Sequence, residues 1–362
     1  MQDILNRIVS SSHNEVNFLE MLASKLSENE FYNLKKSVLE KFIKNEQILD
    51  HILKTNLFTW EISIILKKSN DSWFIQGLYS LYQDLKESYS VDKNNFIKKI
   101  EDDYMNIHEA LNSYHDAYFI ENINKEVKLR HFTRSSFRQI GDTLEATFKP
   151  YITIIYNLLR IGKKVKIVDS KKPSFGDYIS SLTTIDYLKT IYINELKNIT
   201  LNQWRNISQH SSYKVDEEAN TIICTYGNNK SITITQLEIE QLLVKLDEIH
   251  ALHKIAIDFI LFELTNEINF DFELKDLSIE TIISDLCSTM STYQYPVIDI
   301  NIEEEKYKFV VLDKNGNLKP EFIKALNQVS AQIFMLKEKG IFPLFGLYSV
   351  SGNKIAEGKI DF

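Results

Sequence analysis

The segment QWRNISQHSSY, residues 203–213, places Arg205, Asn206 and His210 within six residues. Arginine presents a rigid fork of donors matched to phosphate oxygens, and histidine as a residue type titrates near neutrality. Together they suit phosphodiester cleavage in RNA without a metal. The imidazole moves a proton between the 2′-hydroxyl or the leaving oxygen and solvent, while the guanidinium stabilises the charge of a pentacoordinate transition state. Asn206 could orient the imidazole or contact the phosphate. On a regular helix Arg205 and His210 are rotated by about 140° and do not share a face, whereas Asn206 and His210 at i, i+4 do. Convergence therefore requires one of two things. Either the helix unwinds near SQHSS, whose serines favour local backbone bonds, or two protomers each contribute one wall of a cleft. The same spacing also fits an arginine in a surface ion pair and a histidine at the C-terminus of a helix.

A second stretch, RHFTRSSFRQIGDTLEATF, sets Arg130, Arg134 and Arg138 four residues apart, on one helical face that Asp142 continues. Three like charges in a row repel by a few tenths of a kcal/mol per pair, and an anionic ligand offsets that repulsion. The row reads as a phosphate track feeding Arg205 and His210, with Asp142 or Glu145 as a polar helper. It reads equally as a solvated face with an Arg138–Asp142 pair worth little. Phe132, Phe137, Ile140, Leu144 and Phe148 supply the core stripe on the other side.

Composition narrows the function classes. The net charge of −8 argues against a protein coated in basic surface. Only six of the 42 basic residues are arginine, and four of those six fall between 130 and 160, so the positions that keep arginine carry information. Two cysteines, Cys224 and Cys287, are too few and too far apart for a disulfide framework or a metal knuckle, and read as buried thiols. His250 and His253, with Asp247, sit on a core stripe without a convincing third ligand, so no metal is expected. No phosphate-cradling glycine loop, nucleophile elbow or kinase signature is present, and no cofactor is expected. The longest apolar stretches, at 151–159 and 255–264, are too short to span a bilayer, and the first residues lack an export signal. The expectation is a cytoplasmic protein without a membrane segment.

The elements that must position these residues divide into three. Residues 1–120 read as a helical N-terminal module: Phe18, Met21, Leu22 and Leu26 recur at helical spacing, Ser27 and Glu30 form a capping box, and Leu34, Val38 and Phe42 carry the stripe on. Residues 121–265 read as a helical bundle. In it a helix over about 127–149 is broken by Pro150, and a second runs to about 162. A third runs from about 175 to 208, and a β-hairpin at 213–234 turns at GNNK. Thr235 and Glu238 then cap a long last helix with Leu242, Leu246, Ile249, Ala256 and Ile260 on one face. Residues 266–362 read as a small α+β domain with two strands, a turn at KNGN, a helix closed by Gly340 and a final hairpin at SGNK. The fold class is mainly α.

The string RNISQH resembles the signature of HEPN ribonucleases, an arginine followed by a polar residue and, after a short spacer, a histidine. The resemblance covers residues 121–265, about two fifths of the chain, and rests on this string in a suitable helical frame. It implies a HEPN-like bundle and a metal-independent endoribonuclease whose site forms between two copies. Arg205 and His210 would be the catalytic pair with Asn206 beside them, and the products would be a 2′,3′-cyclic phosphate and a 5′-hydroxyl. It further implies a toxin, abortive-infection or other antiviral defence role, with RNA such as tRNA as substrate, a homodimer, and an antitoxin or trigger protein as partner. HEPN toxins silenced by a nucleotidyltransferase partner carry a tyrosine separated from the histidine by one residue. Here two serines intervene before Tyr213, which places that form of regulation in doubt. Two alternatives stand beside this reading: a non-catalytic RNA- or nucleotide-binding module, and a helical scaffold in a defence complex.

Overall fold

The computed structural model describes residues 5, 9, 18–19, 21–22, 25–55, 58–119, 128–166, 173–194, 197–264, 267–268, 278–303, 306–314 and 319–358. These residues are mainly helical, with small sheets. The chain divides into two compact units, one formed by 1–70 with 271–362 and the other by 71–270. This division departs from the boundaries expected near 120 and 265. The helices over 72–119, read from sequence as part of an N-terminal module, belong with the residues that follow them.

The first unit begins with α1 (Glu28–Leu39), α2 (Glu46–Thr55) and α3 (Thr59–Lys67). The capping box predicted at Ser27 is present: Ser27 Oγ accepts from the Glu30 N–H at 3.4 Å, and the Glu30 carboxylate accepts from the Ser27 N–H at 2.9 Å. Val38 and Phe42 are buried as the stripe requires. Ahead of α1 the buried positions among the described residues are Leu5, Val9 and Leu19, while Met21 faces outward.

In the second unit α4 (Ser72–Val91) lies along α11 (Gln236–Glu263). Tyr82 meets Phe259 edge-to-face at 6.4 Å, and Lys86 pairs with Glu263 at 3.0 Å. The next helix, α5 (Lys93–Phe119), packs on the helical run that follows it, and Tyr114 stacks on His250 of α11 at 3.7 Å. These apolar and aromatic contacts bury the faces of α4 and α5, which is why both join this unit.

From Leu129 to Ile161 the chain stays helical: α6 (Leu129–Asp142), a π-helical segment Thr143–Phe148, and α7 (Lys149–Ile161). Pro150, expected to break the helix, is accommodated instead. In the π segment the Lys149 N–H reaches back to Leu144 O, and this wider turn makes room for a residue that has no N–H to donate. The predicted stripe is buried throughout, at Phe132, Phe137, Ile140, Leu144 and Phe148.

The single helix expected over 175–208 is three: α8 (Phe175–Leu182), α9 (Asp186–Tyr192) and α10 (Leu201–Gln209). A two-residue ribbon separates the last two, β1 (Ile193–Asn194) against β2 (Ile199–Thr200), with Asn198 at φ +53° before β2. The β-branched residues Ile193, Ile199 and Thr200 favour extended backbone, and asparagine tolerates the left-handed region. The predicted hairpin is a three-stranded meander, β3 (Tyr213–Asp216), β4 (Thr221–Tyr226) and β5 (Lys230–Ile234). Gly227 and Asn229 take positive φ in the turn at GNNK. The Thr235–Glu238 capping box is formed, and the α11 stripe, Leu242 to Ile260, is buried.

The first unit is completed by α12 (Ile279–Thr292), β6 (Val297–Glu303), β7 (Lys306–Asp313), α13 (Lys319–Gln328), α14 (Ser330–Glu338), β8 (Phe342–Ser349) and β9 (Lys354–Gly358). The sheet order is β6-β7-β8-β9, with β7 and β8 parallel and the outer pairs antiparallel. The α+β order predicted for this part is therefore found, with its one helix divided at Val329. Gly340 and Gly352 close the helix and the last hairpin at φ +77° and +84°. The turn expected at KNGN falls mostly outside the described residues. No helix among the described residues is long and apolar enough to cross a membrane.

Candidate functional site

Helix α10 is short and amphipathic. Leu201, Trp204 and Ile207 recur at one turn and are buried, which leaves Arg205 and Asn206 half-buried on the flanks. The helix does not unwind at SQHSS; it runs to Gln209 and stops sharply. His210 is its C-cap, and Ser211 adopts φ +48°. The Ser212 N–H donates to Ile207 O at 2.9 Å and the Ser211 N–H to Ser208 O at 3.3 Å, which is the Schellman pattern with serine where glycine is usual. Ser211→Gly removes the steric penalty of a side chain in the left-handed region, less the extra entropy of glycine in the unfolded chain. It should stabilise residues 71–270 by about 0.5–1 kcal/mol, measured as a rise in denaturation midpoint.

Arg205 is fixed from outside its own helix. Its Nε donates to Glu145 Oε2 at 2.9 Å, its Nη2 lies 2.9 Å from the same oxygen, and its Nη1 donates to Asn206 Oδ1 at 3.4 Å. Lys149, one turn beyond Glu145, donates to the other carboxylate oxygen at 2.5 Å. Burial pushes the Glu145 carboxyl upward, but the hydrogen bonds and charges of Lys149 and Arg205 outweigh it and hold Glu145 below the usual carboxylate range.

Glycine makes this approach of α6 and α10 close enough. A Cβ on Gly141 would sit 3.1 Å from Ser208 Cβ and 3.2 Å from Gln209 Nε2. One turn further along each helix, in opposite directions, come Glu145 and Arg205.

The chain leaving α10 then follows α6 back toward its N-terminus. Phe137 stacks on Tyr213 at 4.5 Å and 17°, and Arg130 lies 3.6 Å from Glu217 in the β3–β4 turn. Arg130, Arg134, Arg138 and Asp142 are all exposed along α6, as their spacing predicted. Arg138 and Asp142 are 3.7 Å apart in a well-exposed pair. Of the two helpers named from sequence, Glu145 touches Arg205 and Asp142 does not. His210 is exposed, and among the described residues no hydrogen bond, ion pair or ring contact joins it to Arg205. Lys149 and Gly141 escaped the sequence reading, although Glu145 and Lys149 at i, i+4 are a readable pair.

The other candidates are core groups. His253 is fully buried, its Nε2 lies 2.9 Å from the Tyr192 hydroxyl, and burial drops its pKa to about 3. His250 is buried beneath Tyr114 and against the edge of Tyr151. Cys224 and Cys287 are buried free thiols, and burial pushes Cys224 up to about 12. Among the described residues no group of three or more His, Cys, Asp or Glu side chains is placed to hold a metal ion.

Fold and site together define a mainly helical protein with an arginine clamped at a helix–helix contact, a histidine at the adjoining helix end, and an exposed arginine row beside them. Comparison of the chain with protein-family models, with curated proteins and with solved structures finds no match.

Proposed function

We propose that this chain is a metal-independent endoribonuclease of HEPN type, acting as a toxin or abortive-infection effector in the cytoplasm. The observation that carries the proposal is the clamp on Arg205. Glu145 and Asn206 orient the guanidinium, while its side chain remains 30% exposed and so open to a phosphate. A preoriented cation beside a proton-transfer group is what transesterification needs. The 2′-oxygen of the substrate attacks phosphorus and gives its proton to a neutral imidazole. The bond from phosphorus to the 5′-oxygen breaks, and a protonated imidazole donates to that oxygen. The products are a 2′,3′-cyclic phosphate and a 5′-hydroxyl. Since α10 remains regular through Gln209, Arg205 and His210 project about 140° apart in one chain. Two copies facing each other meet both requirements, with His210 of one chain and the partner's His210 as base and acid. Arg130, Arg134 and Arg138 hold the RNA, tRNA being one substrate to test, and an antitoxin or trigger protein controls the enzyme.

That same divergence of Arg205 and His210 favours a second reading for a chain acting alone: a module that grips RNA without turning it over. Incubation with total RNA and tRNA in excess EDTA separates the two. Cleavage to cyclic-phosphate ends by the wild type, lost in His210→Ala with RNA binding retained, is expected of the enzyme. Binding without cleavage, at concentrations where dimers form, would leave the binding module.

A further inference from the structure

We infer that the RNA lies single-stranded and lengthwise along α6, its successive phosphates on Arg138, Arg134 and Arg130, with the scissile phosphate at the Arg138 end. This rests on the nuclease reading of Arg205 and His210. Three of the chain's six arginines stand on this one exposed line. Four residues of α-helix advance about 6 Å along the axis, close to the spacing of successive phosphates in an extended strand. Each guanidinium can grip two oxygens of one phosphate. The acids nearby hold the row loosely. Arg130–Glu217 and Arg138–Asp142 are 3.6 and 3.7 Å apart, with both arginine side chains more than 70% exposed. Exposed pairs of this kind contribute little and exchange readily for phosphate. Among the described residues no acid pairs with Arg134.

The line has a direction. Gly141 packs against Ser208 and Gln209, and Phe137 stacks on Tyr213, so residues 209–213 lie abreast of 137–141. His210 belongs to that interval, and so does Arg138. Arg134 and Arg130 stand one and two turns farther away. A strand whose reacting phosphate is at His210 therefore meets the arginines in the order 138, 134, 130. Unpaired substrate follows from the chemistry as well. Attack by the 2′-oxygen needs that oxygen, phosphorus and the 5′-oxygen in line, which an A-form duplex does not supply. A duplex strand also curves away from a straight helix, whereas an unpaired strand can follow it.

The test uses binding by the full-length His210→Ala protein, which does not cleave. The probes are a short labelled RNA without self-complementarity and the same strand annealed to its complement, each titrated across salt concentrations. The single strand should bind more tightly than the duplex. The slope of log affinity against log salt should weaken by about 0.7 for each arginine of the row replaced by alanine, and by about 2 in the triple variant. Lys230→Ala, exposed at the start of β5, should leave the slope unchanged. Equal or tighter binding of the duplex, or an unaltered slope in the triple variant, overturns the inference. Failure of the nuclease reading would show separately, as wild-type protein that binds the strand with an arginine-dependent slope and leaves it intact.

Discussion

Arg205→Lys should fold, keep its charge, and lose RNA cleavage by on the order of 100- to 1,000-fold. The wild-type guanidinium presents two nitrogens to Glu145 Oε2, each at 2.9 Å, and a third to Asn206 Oδ1. That anchoring fixes the plane of the fork, so the donors that face solvent are aimed before RNA arrives. A lysine ammonium is a compact charge on a flexible stem. It can meet Glu145 or a phosphate, but it cannot be anchored by one while holding a defined geometry toward the other. The loss should therefore appear in kcat, with RNA affinity nearly unchanged because the row on α6 is intact. Glu145→Gln should cost less, on the order of tenfold, since the amide oxygen still accepts from Arg205. The pH range of the assay matters. Glu145 is held below its ordinary value of 4.5, so the clamp is complete above that pH and is lost as pH falls through the lowered folded value. Rates measured between pH 6 and 8 are then free of its titration. Equal kcat for wild type and Arg205→Lys would remove the clamp from the mechanism.

The features that sequence predicted well are those decided within a few residues. The capping boxes at Ser27 and Thr235 need only a hydroxyl, a carboxylate three positions on and helical backbone between them. The stripe from Phe132 to Phe148 follows from helical period alone, and so does the arginine row on the opposite side. The features that sequence missed are decided by distant partners. The ribbon of Ile193 and Ile199 interrupts what local propensity reads as continuous helix, because two short extended pieces found each other. The place of α4 and α5 is set by Tyr82 on Phe259 and Tyr114 on His250, contacts more than a hundred residues apart in sequence. At the candidate site the residue types and the row were legible, whereas the choice between Asp142 and Glu145 was not. The two are three positions apart, and the π segment that begins at Thr143 changes the rotation per residue between them. Only the packing of Gly141 on Ser208 settles which carboxylate faces Arg205.

Residues 71–270 should also prove acid-labile well above the range in which carboxylates titrate, and His253 is the reason. Burial depresses its pKa from 6.5 to about 3, so the folded protein keeps it neutral where the unfolded chain takes up a proton. The stability tied to the neutral imidazole is fully present above pH 6.5 and is lost as pH falls through the window from 6.5 to about 3. Between pH 7 and pH 5 the loss should amount to about 2 kcal/mol. The surroundings explain why protonation is resisted rather than accommodated. Nε2 is taken by the Tyr192 hydroxyl, and burial pushes that phenol upward, so it offers no negative charge. Among the described residues Nδ1 has no hydrogen-bond partner, and the rings of Phe148 and Tyr151 lie near the imidazole. A second N–H on the ring would therefore stay unpaired in an apolar setting. His253→Leu loses the Tyr192 contact and should be less stable at neutral pH, yet it has no proton to bind. The stability gap between wild type and His253→Leu should narrow by about 2 kcal/mol from pH 7 to pH 5, followed by denaturant unfolding of the full-length chain. A gap that stays constant over that interval would mean that His253 is protonated within the fold, and that the core around Tyr192 is more open to water than its packing implies.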